Sequence, residues 1–163
     1  MLLWPDEIAN MRFHPSDVEK LTGVSTDMQR LWAKRYGFDF RMSSIVEGER
    51  PRWNWEGIQK LVVFSDVFSD LRDAQIALRL GGLDNLADYR SAENYHYDHR
   101  NSVEDLLIHY EFGGHPAEGR TTASGFRALY DFGPAHHPGR SYLYNISSMQ
   151  RRLWAARAPE VPS

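Results

Sequence analysis

Leu21-Thr22-Gly23-Val24-Ser25-Thr26-Asp27-Met28-Gln29-Arg30-Leu31-Trp32-Ala33-Lys34-Arg35-Tyr36-Gly37 is the stretch on which the reading of this chain turns. Gly23 is placed to end one helix, because glycine enters the left-handed conformation of a C-terminal cap without a Cβ clash. Val24 then bridges to Ser25, a good N-cap, and Asp27 follows in a first turn where a carboxylate meets the positive end of the helix dipole. Thr26 through Tyr36 continues without Gly or Pro, and Gly37 closes it. Met28, Leu31, Trp32 and Tyr36 are expected on one side of this helix, with Arg30, Lys34 and Arg35 largely on the other. Upstream, His14-Pro15-Ser16-Asp17 opens a shorter helix, with Ser16 as the expected N-cap, Asp17 and Glu19 in the first turn, and Val18 and Leu21 as its apolar face. Two short helices joined through Gly-Val-Ser have the form of a helix-turn-helix, whose second helix enters the major groove of DNA. The same pattern also fits a plain αα-hairpin whose charges only keep a surface wet.

The sequence beyond Gly37 favours the first of these. Phe38 to Arg50 has no helical period, and Phe40, Met42 and Ile45-Val46 suggest short extended pieces around Ser43-Ser44 and Glu47-Gly48-Glu49. This segment reads as a β-hairpin wing over 40–53. Asn54 is placed to cap a third helix, whose body is Ile58, Leu61, Val62, Val63, Phe64, Val67 and Phe68. Lys60, Ser65 and Asp66 interrupt that run, so it suits a protein core and not a membrane.

These residues resemble a known family. Leu21-Thr-Gly-Val-Ser25 followed by Arg30-Leu-Trp-Ala-Lys-Arg-Tyr-Gly37 is similar to the DNA-binding domain of MerR-type transcription regulators, in the branch whose second helix carries Arg-x-Trp-Glu-Arg-Arg-Tyr-Gly. Arg30, Trp32, Arg35, Tyr36 and Gly37 match that pattern, Lys34 is a conservative replacement, and Ala33 stands where the family has an acidic residue. Arg52-Trp53 resembles the Arg-aromatic pair that ends the family's wing, Trp55-Glu56-Gly57-Ile58 the start of its third helix, and Ala74-Gln-Ile-Ala77 its short fourth helix. The resemblance covers about half of the chain. Gly48-Glu49-Arg50-Pro51-Arg52 departs from the family's wing by an acidic residue and a proline. Gly81-Gly82 stands where a long dimerising helix often follows.

The resemblance implies a DNA interface. Thr26, Asp27 and Gln29 sit near the N-terminus of the 25–37 helix, the part that approaches base edges. Gln29 is expected to pair with adenine, Arg30 with guanine or a phosphate, and Lys34 and Arg35 with phosphates. Arg50 and Arg52 would grip the sugar-phosphate backbone, which positions a protein without reading sequence. Core burial explains the Trp32 indole without any ligand. Trp53 and Trp55 suit either the core or the anchoring of the wing.

Charge placement agrees with this. The chain has 163 residues and a formal charge of −3, which excludes a uniformly basic, histone-like coat. From Met28 to Lys60, however, seven basic residues face four acidic ones. The absence of cysteine excludes disulfides, thiolate metal sites and cysteine nucleophiles. Met1 to Glu7 has neither the basic region nor the apolar core of a secretion signal, so a cytoplasmic protein is expected.

The second half carries weaker signals. Leu83 to Tyr89 reads as a short helix. Ser102 is placed to cap another through Val103, Leu106, Leu107 and Tyr110, ended by Gly113-Gly114. Pro116 to Thr122 looks like a loop, Phe126 to Phe132 helical or extended, and His136-His137-Pro138-Gly139 a turn. Tyr142 to Ile146 alternates as a strand does, and Ser147 is a candidate cap for a final helix to Arg157. The Ile146, Met149, Leu153 and Trp154 face of that helix suits either self-association or packing on its own chain. His96-x-x-His99 has a spacing compatible with one metal, with Asp98, Glu104 or His109 to complete a shell, but equally suits a hydrogen-bonded surface turn. No Gly-x-Ser-x-Gly elbow and no Gly-rich phosphate loop occurs, so nothing points to an enzyme or a cofactor.

The expected architecture is therefore mainly α with a small β wing. A winged helix-turn-helix N-terminal domain (12–80) is followed by a small α or α+β region (83–158) for dimerisation, a partner or an effector. The expected function is sequence-specific binding of double-stranded DNA as a homodimeric transcription regulator. A second expectation is a winged-helix protein-interaction or architectural factor of a mobile element, used in excision or packaging.

Overall fold

The computed structural model describes residues 11–36, 52–82, 105–112, 115–122 and 140–157. Within them the protein is mainly helical, with a small antiparallel sheet of three strands. Four helices come first: α1 (Pro15–Thr22), α2 (Thr26–Tyr36), α3 (Trp55–Leu71) and α4 (Ala74–Gly81). Strands β1 (Asp105–Phe112), β2 (His115–Thr122) and β3 (Arg140–Asn145) follow, and α5 (Ile146–Arg157) ends the described chain.

Local chemistry sets most helix boundaries. Pro15 occupies the first turn of α1 and His14 its N-cap, so Ser16 lies inside the helix and does not cap it. A proline at that place needs no donor and already has a helical φ, which fixes the start two residues earlier than the serine suggests. Gly23 ends α1 in the left-handed conformation at φ 76, its N–H donating to the Glu19 carbonyl. The Ser25 hydroxyl oxygen accepts the Met28 N–H, and the Asn54 side chain accepts the Gly57 N–H, as an N-cap does for α2 and α3 in turn. Asp73 does the same for α4 through the Gln75 and Ile76 N–H groups.

β1 is the centre of the sheet, with order β2-β1-β3 and both pairings antiparallel. This overturns the helix expected through Leu106, Leu107 and Tyr110. A central strand is covered on both faces, so Leu107 and Ile108 point in opposite directions and are both buried. Burial on both faces removes the alternation that marks a strand in sequence. β2 likewise replaces the loop expected from Pro116 to Thr122. Pro116 sits near the start of an outer strand, where the lost donor is tolerated, and Gly119 pairs with Ile108. The strand expected at Tyr142 to Ile146 is present as β3. Asn145, and not Ser147, accepts the Ser148 N–H at the start of α5; Ser147 is fully buried.

One core joins these elements. α5 packs against α1, α3 and β1, while α4 packs on β1 and β2. Phe64, Ile58 and Leu61 of α3 are fully buried beside Leu107 of β1 and Ile146 of α5. Each such side chain contributes about 1.5–3 kcal/mol relative to exposure. The apolar face of α5 is thus used within the chain: Ile146, Met149 and Leu153 are buried in this core. Trp53 and Trp55 are also core residues, and Trp53 exchanges two backbone hydrogen bonds with Phe13 in an isolated antiparallel bridge. No described helix is long and apolar enough to cross a membrane.

Outside the described residues lie the expected wing as far as Pro51, including Arg50, the expected helix from Leu83 to Tyr89, and the segments around Phe126 to Phe132 and His136 to Gly139.

Candidate nucleic-acid interface

α2 is held from behind by aromatic packing. The Trp32 ring meets Phe64 edge-on at 5.0 Å and Phe68 at 6.3 Å, and Tyr36 packs on the same two rings. These two phenylalanines stack on one another one turn apart along α3. Edge-to-face aromatic pairs add specific geometry to the area they bury, so the rotation of α2 about its axis is well determined.

Its N-terminal end is held by two polar contacts. One carboxylate oxygen of Glu19 accepts both the backbone N–H and the hydroxyl of Thr26, tying α1 to the first turn of α2. The Gln29 amide nitrogen donates to the Pro15 and Val24 carbonyl oxygens at 3.0 and 2.9 Å. Gln29 is consequently buried, at 4 % exposure, and the expected contact with adenine is withdrawn. The reason is the helical period: Gln29 lies three residues before Trp32 and shares its inward face.

What remains outside is a contiguous arc. At about 100° per residue, the order around the helix is Thr26, Arg30, Lys34, Asp27, Leu31, Arg35. Thr26 is half-buried, and the other five are exposed. The Arg30 side chain is 76 % exposed and its 3.9 Å approach to Asp27 is too long and too solvated to hold it. Leu31, expected on the apolar side, instead lies on this outer arc at 46 % exposure. Exposed Arg35 stands between it and the buried face of the helix. Arg52 is exposed beside buried Trp53. Each expected residue with a described position, apart from Gln29 and Thr26, is therefore exposed.

No known protein family matches this chain, and no curated protein matches it.

A second polar group, not legible in the sequence, lies between α3 and the C-terminal elements. Asp66 accepts the Tyr144 hydroxyl at 2.6 Å and an Arg152 guanidinium N–H at 3.0 Å; Asp70 accepts the Tyr142 hydroxyl at 2.6 Å. The carboxylates are four apart on a helix and the tyrosines two apart on a strand, two repeats of similar length that let both pairs form together. Burial pushes both phenols above the ordinary tyrosine value, and their carboxylate partners raise them further. Asp66, Asp70, Tyr144 and Arg152 border an open cleft of about 300 Å³.

On the sheet, His109 Nδ1 lies 3.0 Å from Glu118 Oε1, its cross-strand partner, and the same oxygen accepts from Arg79 Nε of α4 at 2.6 Å. His109 is thus engaged within the fold. Of the other expected metal ligands, His96, Asp98, His99 and Glu104 lie outside the described residues.

Proposed function

We propose that this chain is a sequence-specific double-stranded DNA-binding protein, a transcription regulator whose first two helices act as a winged helix-turn-helix of MerR type. The observation that carries the reading is the outer arc of α2, which presents Arg30, Lys34 and Arg35 to solvent while Trp32, Tyr36 and Gln29 lock the opposite side against the body. A rigid helix with a basic exposed face is what insertion into a major groove requires. In this reading Arg30 meets guanine or a phosphate, Asp27 accepts from a cytosine amino group, and Lys34 and Arg35 meet phosphates. Arg52, with Arg50 in the wing, grips the sugar-phosphate backbone.

A single reading helix covers few base pairs, so we propose that two copies bind a palindromic site. The buried face of α5 is committed to its own core, so the dimer would use another surface.

Selection of bound duplexes from a random library tests the reading. Enrichment of a palindrome, with affinity that falls steeply with salt as counterions are released, is the expected result. Absence of any enriched duplex, with salt-insensitive or no binding, overturns it and favours the protein-interaction alternative.

A further inference from the structure

Among the described residues two large hydrophobic side chains are exposed, and Leu31, in the middle of α2, is the more exposed. Its surface neighbours one turn away are Asp27, Lys34 and Arg35, all exposed. The remaining neighbour, Met28, is half-buried and packs against the core. Leu31 is therefore an isolated apolar tip in a charged ring. A docking site for another protein would need a contiguous apolar patch, which this ring interrupts. The surroundings fit a target that offers one small apolar group inside a field of negative charge. The C5 methyl of thymine is such a group: it projects into the major groove between two rows of phosphates.

We infer that Leu31 is a specificity-determining residue that selects thymine by contact with its methyl group. The inference rests on the DNA-binding reading above and adds to it the base that one position of the site must carry. Leu31 supplies no hydrogen bond, so its preference is for the methyl alone. Arg30, Lys34 and Arg35 supply the attraction that brings it into the groove.

The experiment uses the full chain and a duplex recovered from the random library. Each thymine is replaced in turn by deoxyuridine, which deletes only the methyl. One or two replacements are expected to weaken binding by the wild-type chain about fourfold, the worth of one buried methyl. In Leu31→Ala the same replacements should have no effect, while the salt dependence is retained. Leu31 is exposed, so this variant should fold as the parent does, which thermal melting checks.

If every deoxyuridine duplex binds the wild type like its parent, the inference fails while the DNA-binding reading stands. If the sensitivity survives in Leu31→Ala, another residue reads the methyl and the inference also fails. If no duplex binds at all, both readings fall.

Discussion

The Gln150 amide nitrogen donates to the Gln59 side-chain oxygen at 2.9 Å, joining α5 to α3 inside the core across 91 residues of sequence. Both side chains are buried. Removing one partner from such a pair sacrifices the hydrogen bond and leaves the other group desolvated. Gln150→Leu is expected to lower stability by about 1–3 kcal/mol, read from the urea midpoint. The double variant Gln59→Leu/Gln150→Leu should lose less than the two single losses added together, because neither polar group then remains. Strict additivity would show that the pair is not coupled.

The turn before α2 depends on one backbone conformation. At Gly23, with φ 76, an added Cβ would meet nothing within 4 Å, so the penalty for a side chain is conformational and not steric crowding by neighbours. Gly23→Ala should cost about 1–2 kcal/mol in thermal or urea unfolding, and Gly23→Asn less, since asparagine tolerates the left-handed region. Arg72 offers the reverse test: it caps α3 at φ 55 with a side chain. Arg72→Gly should be neutral or stabilising by less than about 1 kcal/mol.

Tyr142 and Tyr144 make stability sensitive to base. Their folded-state values are raised above the unfolded value of about 10, so the folded chain holds these protons more tightly than the unfolded chain. Their contribution is complete below about pH 10 and declines as pH rises beyond it. Stability measured by urea unfolding from pH 8 to 11 should fall at the upper end. Tyr144→Phe should reduce that fall while lowering stability at neutral pH through loss of the bond to Asp66. A spectroscopic base titration in which all tyrosines ionise near the ordinary value would contradict this.

The arginines of α2 carry the functional test. Arg30→Ala and Arg35→Ala should each weaken duplex binding by tenfold or more, about 1–3 kcal/mol for a good contact. A phosphate contact shows itself as a shallower salt dependence, a base contact as relaxed preference at one position. Gln29→Ala is expected to act differently. It should lower stability through loss of the Pro15 and Val24 contacts, without changing base preference at any position. Unchanged affinity in the double variant Arg30→Ala/Arg35→Ala would refute the role assigned to this helix.

Much of the first half was legible because its signals are local. A Gly that must turn left, a Ser and an Asn within reach of nearby N–H groups, and an uninterrupted run from Thr26 to Tyr36 each act over a few residues. Trp32 and the α3 apolar body were likewise recognisable as core. At the borders the local signals competed. Ser16 looked like a cap, but Pro15 starts the helix. Gln29 looked like a base reader, but it shares the inward face of Trp32; Leu31 looked apolar-facing, but it lies on the outer arc.

The order of helices and the placement of basic residues along α2 are properties of the sequence alone, since capping and period need no distant partner. Which side of α2 faces out was decided by Phe64 and Phe68, whose rings fix its rotation. Tertiary structure also decided that 105–112 and 115–122 pair as antiparallel strands: a strand buried on both faces keeps no alternation, and only pairing with β2 and β3 satisfies its backbone. The Asp66–Tyr144 and Gln59–Gln150 contacts belong to the same class. Their partners are 78 and 91 residues apart in sequence, and packing α3 against β3 and α5 brings them within hydrogen-bond reach.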